Sequence, residues 1–485
     1  MNFLLKFSIY PLKINPYILK NIYLLKITDK NMGVLENKKK ITAKWYVAFS
    51  LISVLAISAL FIPDSNDSTP DPRRFLTEKD IVPSDIAWVL SAAGLVLLMT
   101  PGLSFFYGGM VGKKNIISTM LQSFVSLGVI SILWLAVGFS LSFGESLGIT
   151  LAGEHYGLIG NALSYPFFLN VPLVPHKDMA PTIPFVLFAL FQMKFAVITP
   201  ALITGSFAER VRFIAYLLFI VLFSLLIYSP LCHMVWHPNG LLNKFFGIKD
   251  FAGGTVVHIS AGFAALAGAL KLGRRTSPHH EPSNIPFVIL GTGMLWFGWF
   301  GFNAGSALSA SPTAALAFGT TTIASASAMM TYIFFDRING RKISAVSACI
   351  GAVVGLVAIT PAAGFVTIPE SLFIGFISAI TSNLMVNWKK LKKIDDTLDV
   401  FACHGVGGIM GMILTAVFAH GENASLLHGG FWVFLHHMAA LILVCVFCLF
   451  GALVIYEITN RLIPLRVSST SEELGLDLSQ HDEKL

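Results

Sequence analysis

Charge is scarce in this sequence: Asp, Glu, Lys and Arg make up 12% of its 485 residues, about half of the roughly 25% found in an average soluble protein. A water-soluble surface for a chain of this length cannot be built from that supply, which excludes a soluble enzyme and a disordered scaffold. Cysteine is scarce as well. Cys232, Cys349, Cys403, Cys445 and Cys448 all fall inside apolar segments and make no disulfide framework. Cys445 and Cys448 form a C-x-x-C, but in a Leu/Val/Phe run without the βαβ setting of a redox motif, so they read as packing residues. Hydrophobic residues, by contrast, reach 55%, with a mean hydropathy of +0.73. The formal charge of +7 would ordinarily raise nucleic acid as a partner. Here the basic residues stand in short clusters between long apolar runs, which is the pattern of a membrane protein in a lipid bilayer, and nucleic acid is excluded.

A spanning helix needs about 20 mostly apolar residues. Such runs occur near 86–109, 116–143, 182–208, 213–236, 251–273, 287–308, 312–336, 343–366, 369–388, 400–419 and 431–459, which predicts an all-α polytopic membrane protein of eleven transmembrane helices. Lys and Arg set the orientation. Lys113 and Lys114, Arg210 and Arg212, Lys271 to Arg275, Arg337 to Lys342 and Lys389 to Lys393 fall in alternate loops, whereas the intervening loops hold only Lys177, Lys244 and Lys249. The basic loops are therefore expected in the cytoplasm, together with the C-terminal tail, as in a multi-pass protein of the cell membrane.

The first of these helices then starts outside. A further apolar run, Trp45 to Ile62, follows Lys38, Lys39, Lys40 and Lys44 and ends near the small residues Ala56 and Ser58. That reads as a cleavable signal peptide; the alternative is an uncleaved twelfth helix. Residues before Met32 read as an upstream extension of the start. The expected organisation is an N-terminal extension with its signal-like segment (1–62), an extracytoplasmic linker (63–85), the transmembrane domain (86–460) and a cytoplasmic tail (461–485).

Transporter folds are often built from inverted repeats, and the spacing holds one. Asp250 to His258 and Asp396 to His404 both read D-x7-H, with the same offset of 146 residues at each end. One opens the fifth helix from outside and the other opens the tenth from inside, which suggests a five-plus-five inverted repeat with one extra C-terminal helix. Eight residues at 1.5 Å per residue is about 12 Å of helix, so each histidine is expected near the bilayer midplane. Each Asp sits where a helix-capping carboxylate would. An imidazole inside a membrane helix is costly and usually faces a cavity or a polar partner; two at equivalent positions could meet, one donating and one accepting a hydrogen bond. A metal site would want three or four ligands, and no Asp, Glu or Cys is placed to complete one beside His258 and His404.

The chain resembles the ammonium transporter (Amt/Mep/Rh) family, in its Amt branch. The resemblance rests on Phe106-Tyr107-Gly108-Gly109, Phe191-Gln192-Met193-Lys194-Phe195-Ala196, Gly205 to Arg210 (GSFAER), His233-Met234-Val235-Trp236, Asp250 to His258, Gly298 to Ser306 (GWFGFNAGS) and Asp399 to Gly405 (DVFACHG). It runs in order from about residue 84 to the tail. It implies eleven helices in two inverted halves, a homotrimer with one pore per subunit, and transport rather than enzyme catalysis. By the same resemblance Phe191, Trp236 and Ser306 would form an outer recruitment site, with Asp250 as the carboxylate near that entrance. Phe195 and Phe302 would be a stacked gate, and His258 and His404 a twin-histidine pair in the pore. No cofactor or metal is implied. The tail, from Arg466 through Gly475-Leu476-Asp477 to His481, resembles the family's cytoplasmic tail, which implies a PII-type signal protein as a cytosolic partner.

The residue types fit these roles. Trp and Phe faces attract a cation by roughly 0.5–2 kcal/mol, which suits ammonium or its analogue methylammonium but also potassium. Phe191 and Phe195 stand i, i+4 on one helix face. A bare cation entering an apolar pore costs many kcal/mol, whereas ammonia does not. The expected mechanism is capture of ammonium, loss of its proton at the gate, and passage of ammonia past His258 and His404 while a proton follows, so that net charge crosses. Lys194 departs from this pattern, since a lysine in the lumen would repel ammonium; two residues off the Phe191/Phe195 line, it is expected to face another helix and pair there, or to snorkel. Two other readings remain beside transport: a sensor that binds ammonium and conducts poorly, and a passive ammonia channel of Rh type. A polytopic membrane enzyme would need a nucleophile or metal set that the two histidines do not supply.

Overall fold

The computed structural model describes residues 45–62, 70–277, 281–422 and 424–485. The basic run Lys38 to Lys40, Lys44 and the Met32 start lie outside them. The chain divides into two units, Met1–Ile62 and Pro63–Leu485. In the first, Trp45–Ala59 forms an apolar helix, as its continuous Val/Leu/Ile content predicts.

The second unit is helical throughout its apolar runs: α1 (Pro83–Met110), α2 (Lys113–Phe143), α3 (Phe185–Ser206), α4 (Phe213–Trp236), α5 (Gly254–Leu272), α6 (Ile285–Gly305), α7 (Pro312–Ile338), α8 (Ala345–Ile359), α9 (Ile368–Leu391), α10 (Phe401–Phe418) and α11 (Phe431–Leu462). Among the described residues nine of these, α1–α6 and α9–α11, are long and apolar enough to cross a membrane. α7 has 27 residues but is diluted with Thr and Ser, and α8 has 15. In hydrocarbon every backbone N–H needs an internal partner, which is why the apolar runs fold as helices. Between α2 and α3 lie an antiparallel hairpin, β1 (Ser146–Leu151) with β2 (Glu154–Gly160), and a short pair, β3 (Pro175–His176) with β4 (Ala180–Pro184).

Small residues decide which helices meet. α1 packs most extensively against α6. A Cβ placed on Gly298 would sit 2.6 Å from the Leu95 carbonyl oxygen, and one on Gly291 would sit 2.3 Å from the Phe106 nitrogen. Such close backbone approach is how membrane helices gain packing without a hydrophobic drive. The α5–α10 contact is tighter still, since a Cβ on Gly262 would lie 2.2 Å from the Gly405 nitrogen. α5 and α10 also begin alike, each with a π-helical turn, Gly254–Ile259 and Phe401–Val406. π turns inside α-helices are uncommon and frequent at functional sites.

Candidate functional site: an aromatic file ending in two histidines

Five elements contribute to one line of rings. On α3, Phe191 and Phe195 stand one turn apart, with ring centroids 5.0 Å apart. Trp236, the last residue of α4, meets Phe195 edge-on at 5.9 Å. Phe302 of α6 lies against Phe195 at 4.3 Å and stacks on His258 of α5 at 5.8 Å, with ring planes 21° apart. His258 in turn faces His404 of α10 at 5.3 Å. Trp236 and Ser306 are partly exposed, whereas Phe191, Phe195 and Phe302 are at most 1% exposed. Phe191, which the resemblance places in the outer recruitment site, is buried within the file. The Ser306 hydroxyl donates to the Phe302 carbonyl (2.8 Å), which leaves its oxygen lone pairs as acceptors.

The sequence predicts that the two histidines meet, and they do: their Nδ1 atoms are 3.3 Å apart. One Nδ1 must donate and the other accept, so the pair shares a proton between the two rings. Both rings are buried, at 1% and 3% exposure, and His258 Nε2 has no hydrogen-bond partner. An orphaned buried nitrogen is expensive unless something visits it. The two rings line a cavity about the size of one water molecule, whose other walls are apolar or aromatic, Leu103, Ile198, Leu295 and Trp299 among them.

The two aspartates cap the turns that carry these histidines. Asp250 Oδ1 accepts from the Gly253 and Gly254 amides (2.8 and 2.6 Å), and its Oδ2 accepts from the Thr255 amide (2.8 Å) and hydroxyl. Gly253 takes φ +115°, a conformation open to glycine that aims successive amides at one carboxylate. Asp396 accepts from the Val400 and Phe401 amides at 3.1 and 2.8 Å. Trp236 is held by its indole N–H on the Asp250 carbonyl (3.2 Å), so the aromatic mouth and the cap form one piece.

Lys389 of α9 is bonded to Asp396 (2.6 Å) and Asp399 (2.9 Å) at 1% exposure. Beside it, Arg275 bridges Glu209 (2.8 Å) and Asp395 (2.9 Å), with all three side chains at most 8% exposed. Burial alone would lower the Arg275 pKa, but Asp395 and Glu209 outweigh it and raise it. Asp395 is held below the usual carboxylate range, its burial outweighed by Arg275 and Arg210. Arg210 is lowered to about 10 by burial. The tail docks on this same end. Val467 N–H donates to the Arg210 carbonyl (3.0 Å), Asp477 accepts from the Ile117 and Ser118 amides (3.1 and 2.7 Å), and His481 reaches Ser118 Oγ (3.2 Å).

Two residues escaped the sequence reading. Trp299, part of the GWFG stretch, stacks on His258 at 5.3 Å, with its indole N–H on Thr360 (2.9 Å); its motif was visible but its direction was not. Lys389 was counted only as a loop charge, though its place seven residues before Asp396 puts it opposite the cap. Lys194 is half-buried and has no ion-pair or hydrogen-bond partner among the described residues. Nothing in the structure explains it.

Helices packed through glycines around a buried imidazole pair, with aromatic rings at one end, define a polytopic membrane protein of transporter type. A family model, the Ammonium Transporter Family, matches residues 87–485. The ammonium transporter of Aquifex aeolicus (strain VF5) is 42% identical over 415 residues, covering 84% of this chain and 95% of that one. The ammonium transporter of Bacillus subtilis (strain 168) is 42% identical over 407 residues, covering 82% and 98%. Among solved structures, Saccharomyces cerevisiae Mep2 superposes with a TM-score of 0.75 at 32% identity over 83% of this chain and 91% of its own. A structure described as a sensor Amt protein superposes with a TM-score of 0.75 at 30% identity, over 84% and 100%. The chain belongs to the ammonium transporter family, in its Amt branch.

Proposed function

We propose that this protein carries ammonium across a membrane by taking it apart at an aromatic gate. The observation that supports this best is the unbroken file Trp236–Phe195–Phe302–His258–His404, with a water-sized cavity beside the two histidines and His258 Nε2 without a partner. Phe191, Trp236 and Ser306, with Asp250 behind them, recruit the cation at the outer mouth through ring faces and an oxygen acceptor. Phe195 and Phe302 then exclude it. An intact cation would lose its hydration against apolar walls, at a cost of many kcal/mol that the rings do not return. Ammonia loses little, passes, and hydrogen-bonds to the histidines, while the proton moves along the shared Nδ1 contact. Potassium has no proton to give up and is left behind.

In this reading all eleven helices cross, in five-plus-five inverted halves. The matched Asp-capped π turns of α5 and α10 support it, as does their common offset. The Lys and Arg distribution puts Trp236 outside and the tail in the cytoplasm of a cell membrane. The functional unit is a homotrimer, and the docked tail is the surface on which a PII-type protein would act. The run to Ile62 acts as a signal segment.

The test is an ammonium concentration jump on reconstituted proteoliposomes, with potassium as the control. A saturable current for ammonium and none for potassium is expected. Internal alkalinisation without current would mean passive ammonia conduction. Binding with neither signal would mean a sensor.

A further inference from the structure

The two mouths are built on the same cap but differ in charge. At the outer one, Asp250 is satisfied by three amides and a hydroxyl, and no basic side chain pairs with it among the described residues. Its neighbour Lys249 turns away and sets its ammonium group over the Phe365 ring at 5.5 Å. At the inner one, Asp396 spends one oxygen on Lys389 at 2.6 Å, and the same Nζ reaches Asp399 at 2.9 Å. Beyond them opens a cavity of about 550 Å³, walled by Arg274, Arg275, Lys389 and Lys393 against Asp395, Asp396 and Asp399. Basic side chains outnumber carboxylates there.

Amides that cap a carboxylate favour its charged form, and in a poorly solvated place such a charge is felt strongly by a nearby cation. A carboxylate bonded to a buried ammonium group of its own offers much less to a second cation. We propose that Lys389 makes the pore electrostatically one-sided, neutralising the inner carboxylate so that ammonium is captured by charge at the outer mouth and not at the inner one. This rests on the transport reading above and adds a residue that sets sidedness. The consequence is kinetic: ammonia that is reprotonated on the inner side meets carboxylates already held by Lys389 and Arg275 and leaves. Asp396 can still cap the His404 turn, because its bonds to Val400 and Phe401 do not need Lys389.

The experiment measures half-saturating ammonium separately at each face of full-length protein in oriented proteoliposomes, from transient currents. In the unaltered protein the outer face is expected to saturate at the lower concentration; an inner face that saturates as readily overturns the proposal without any variant. Lys389→Met is expected to lower the inner half-saturation by at least about fivefold while the outer value stays within about twofold. Lys389→Arg keeps the charge and should behave as the unaltered protein. A conducting Lys389→Met with an unchanged inner value, or with both faces shifted together as a merely structural role would give, overturns it. Should Lys389→Met fail to fold, the triple variant Lys389→Met with Asp396→Asn and Asp399→Asn removes all three charges and should return the unaltered inner value; an inner value lowered about fivefold there overturns the proposal too. Absence of any ammonium signal in the unaltered protein would instead overturn the transport reading on which this rests.

Discussion

The Nδ1 atoms of His258 and His404, 146 residues apart in the chain, lie 3.3 Å from each other, each eight residues beyond an aspartate that caps its helix. Among the described residues neither ring has another hydrogen-bonding partner at Nδ1, so each satisfies that atom of the other. Replacing either by Ala removes one end of the shared proton and leaves the remaining Nδ1 unpaired in an apolar wall. His258→Ala and His404→Ala are each expected to cut the ammonium current at least about a hundredfold, the low end of the usual scale for losing a proton-transfer group, or to admit potassium. An unchanged current with unchanged selectivity would sink the relay.

Gly262 and Gly405 let α5 and α10 touch backbone to backbone, and that contact sets the histidine separation. Gly262→Val must push the helices apart and is expected to destabilise the protein by about 1–3 kcal/mol, with loss of ammonium flux. Gly293→Ala, where an added Cβ meets nothing within 4 Å, should change neither. Thermal unfolding and flux measured on both variants check this.

Trp236 joins the aromatic mouth to the Asp250 cap through one hydrogen bond. Trp236→Leu keeps an apolar side chain but loses the ring face and the indole N–H. It is expected to raise the half-saturating ammonium concentration at the outer mouth roughly 2- to 30-fold, which is what about 0.5–2 kcal/mol of cation–ring attraction corresponds to. The maximal current should fall less. A lowered maximal current with unchanged half-saturation would place Trp236 in the chemistry of the gate and not in recruitment.

The docked tail should respond to mild acid. His481 sits on Ser118 Oγ and the Phe213 ring, and burial, opposed by Asp477 and Glu483, lowers its pKa below the ordinary 6.5. A histidine lowered in the docked state favours docking while neutral, so its contribution is complete above 6.5 and is lost as pH falls below that value. Asp477 is raised by burial above 3.8 and works in the opposite direction. Protease cleavage within 469–485 is therefore expected to speed up between pH 7.5 and 5.5, and His481→Ala should flatten that dependence.

Much of this protein follows from its sequence alone. The scarcity of charge and the length of the apolar runs leave helices as the sole way to satisfy the backbone in hydrocarbon, so the helices fall where hydropathy puts them. α7 and α8 show the limit: Thr and Ser dilute one, and the other is short, so composition does not separate a crossing helix from a buried one. The histidines were legible because a repeated spacing carries information across the chain. Distances between helices were not, since they depend on which glycine faces which backbone. Gly262 against Gly405, Trp299 over His258 and Lys389 between Asp396 and Asp399 are all matters of rotation about a helix axis, on which 100° per residue separates contact from none. Phe191 and Phe195 share one helix face, as their spacing predicts, but that Phe302 of α6 lies against Phe195 is a matter of packing between helices. Sequence determined which residue types the membrane would admit and in what order. Tertiary packing decided which of them share a pore, because in a membrane close packing, and not burial from water, selects the partner of each helix face.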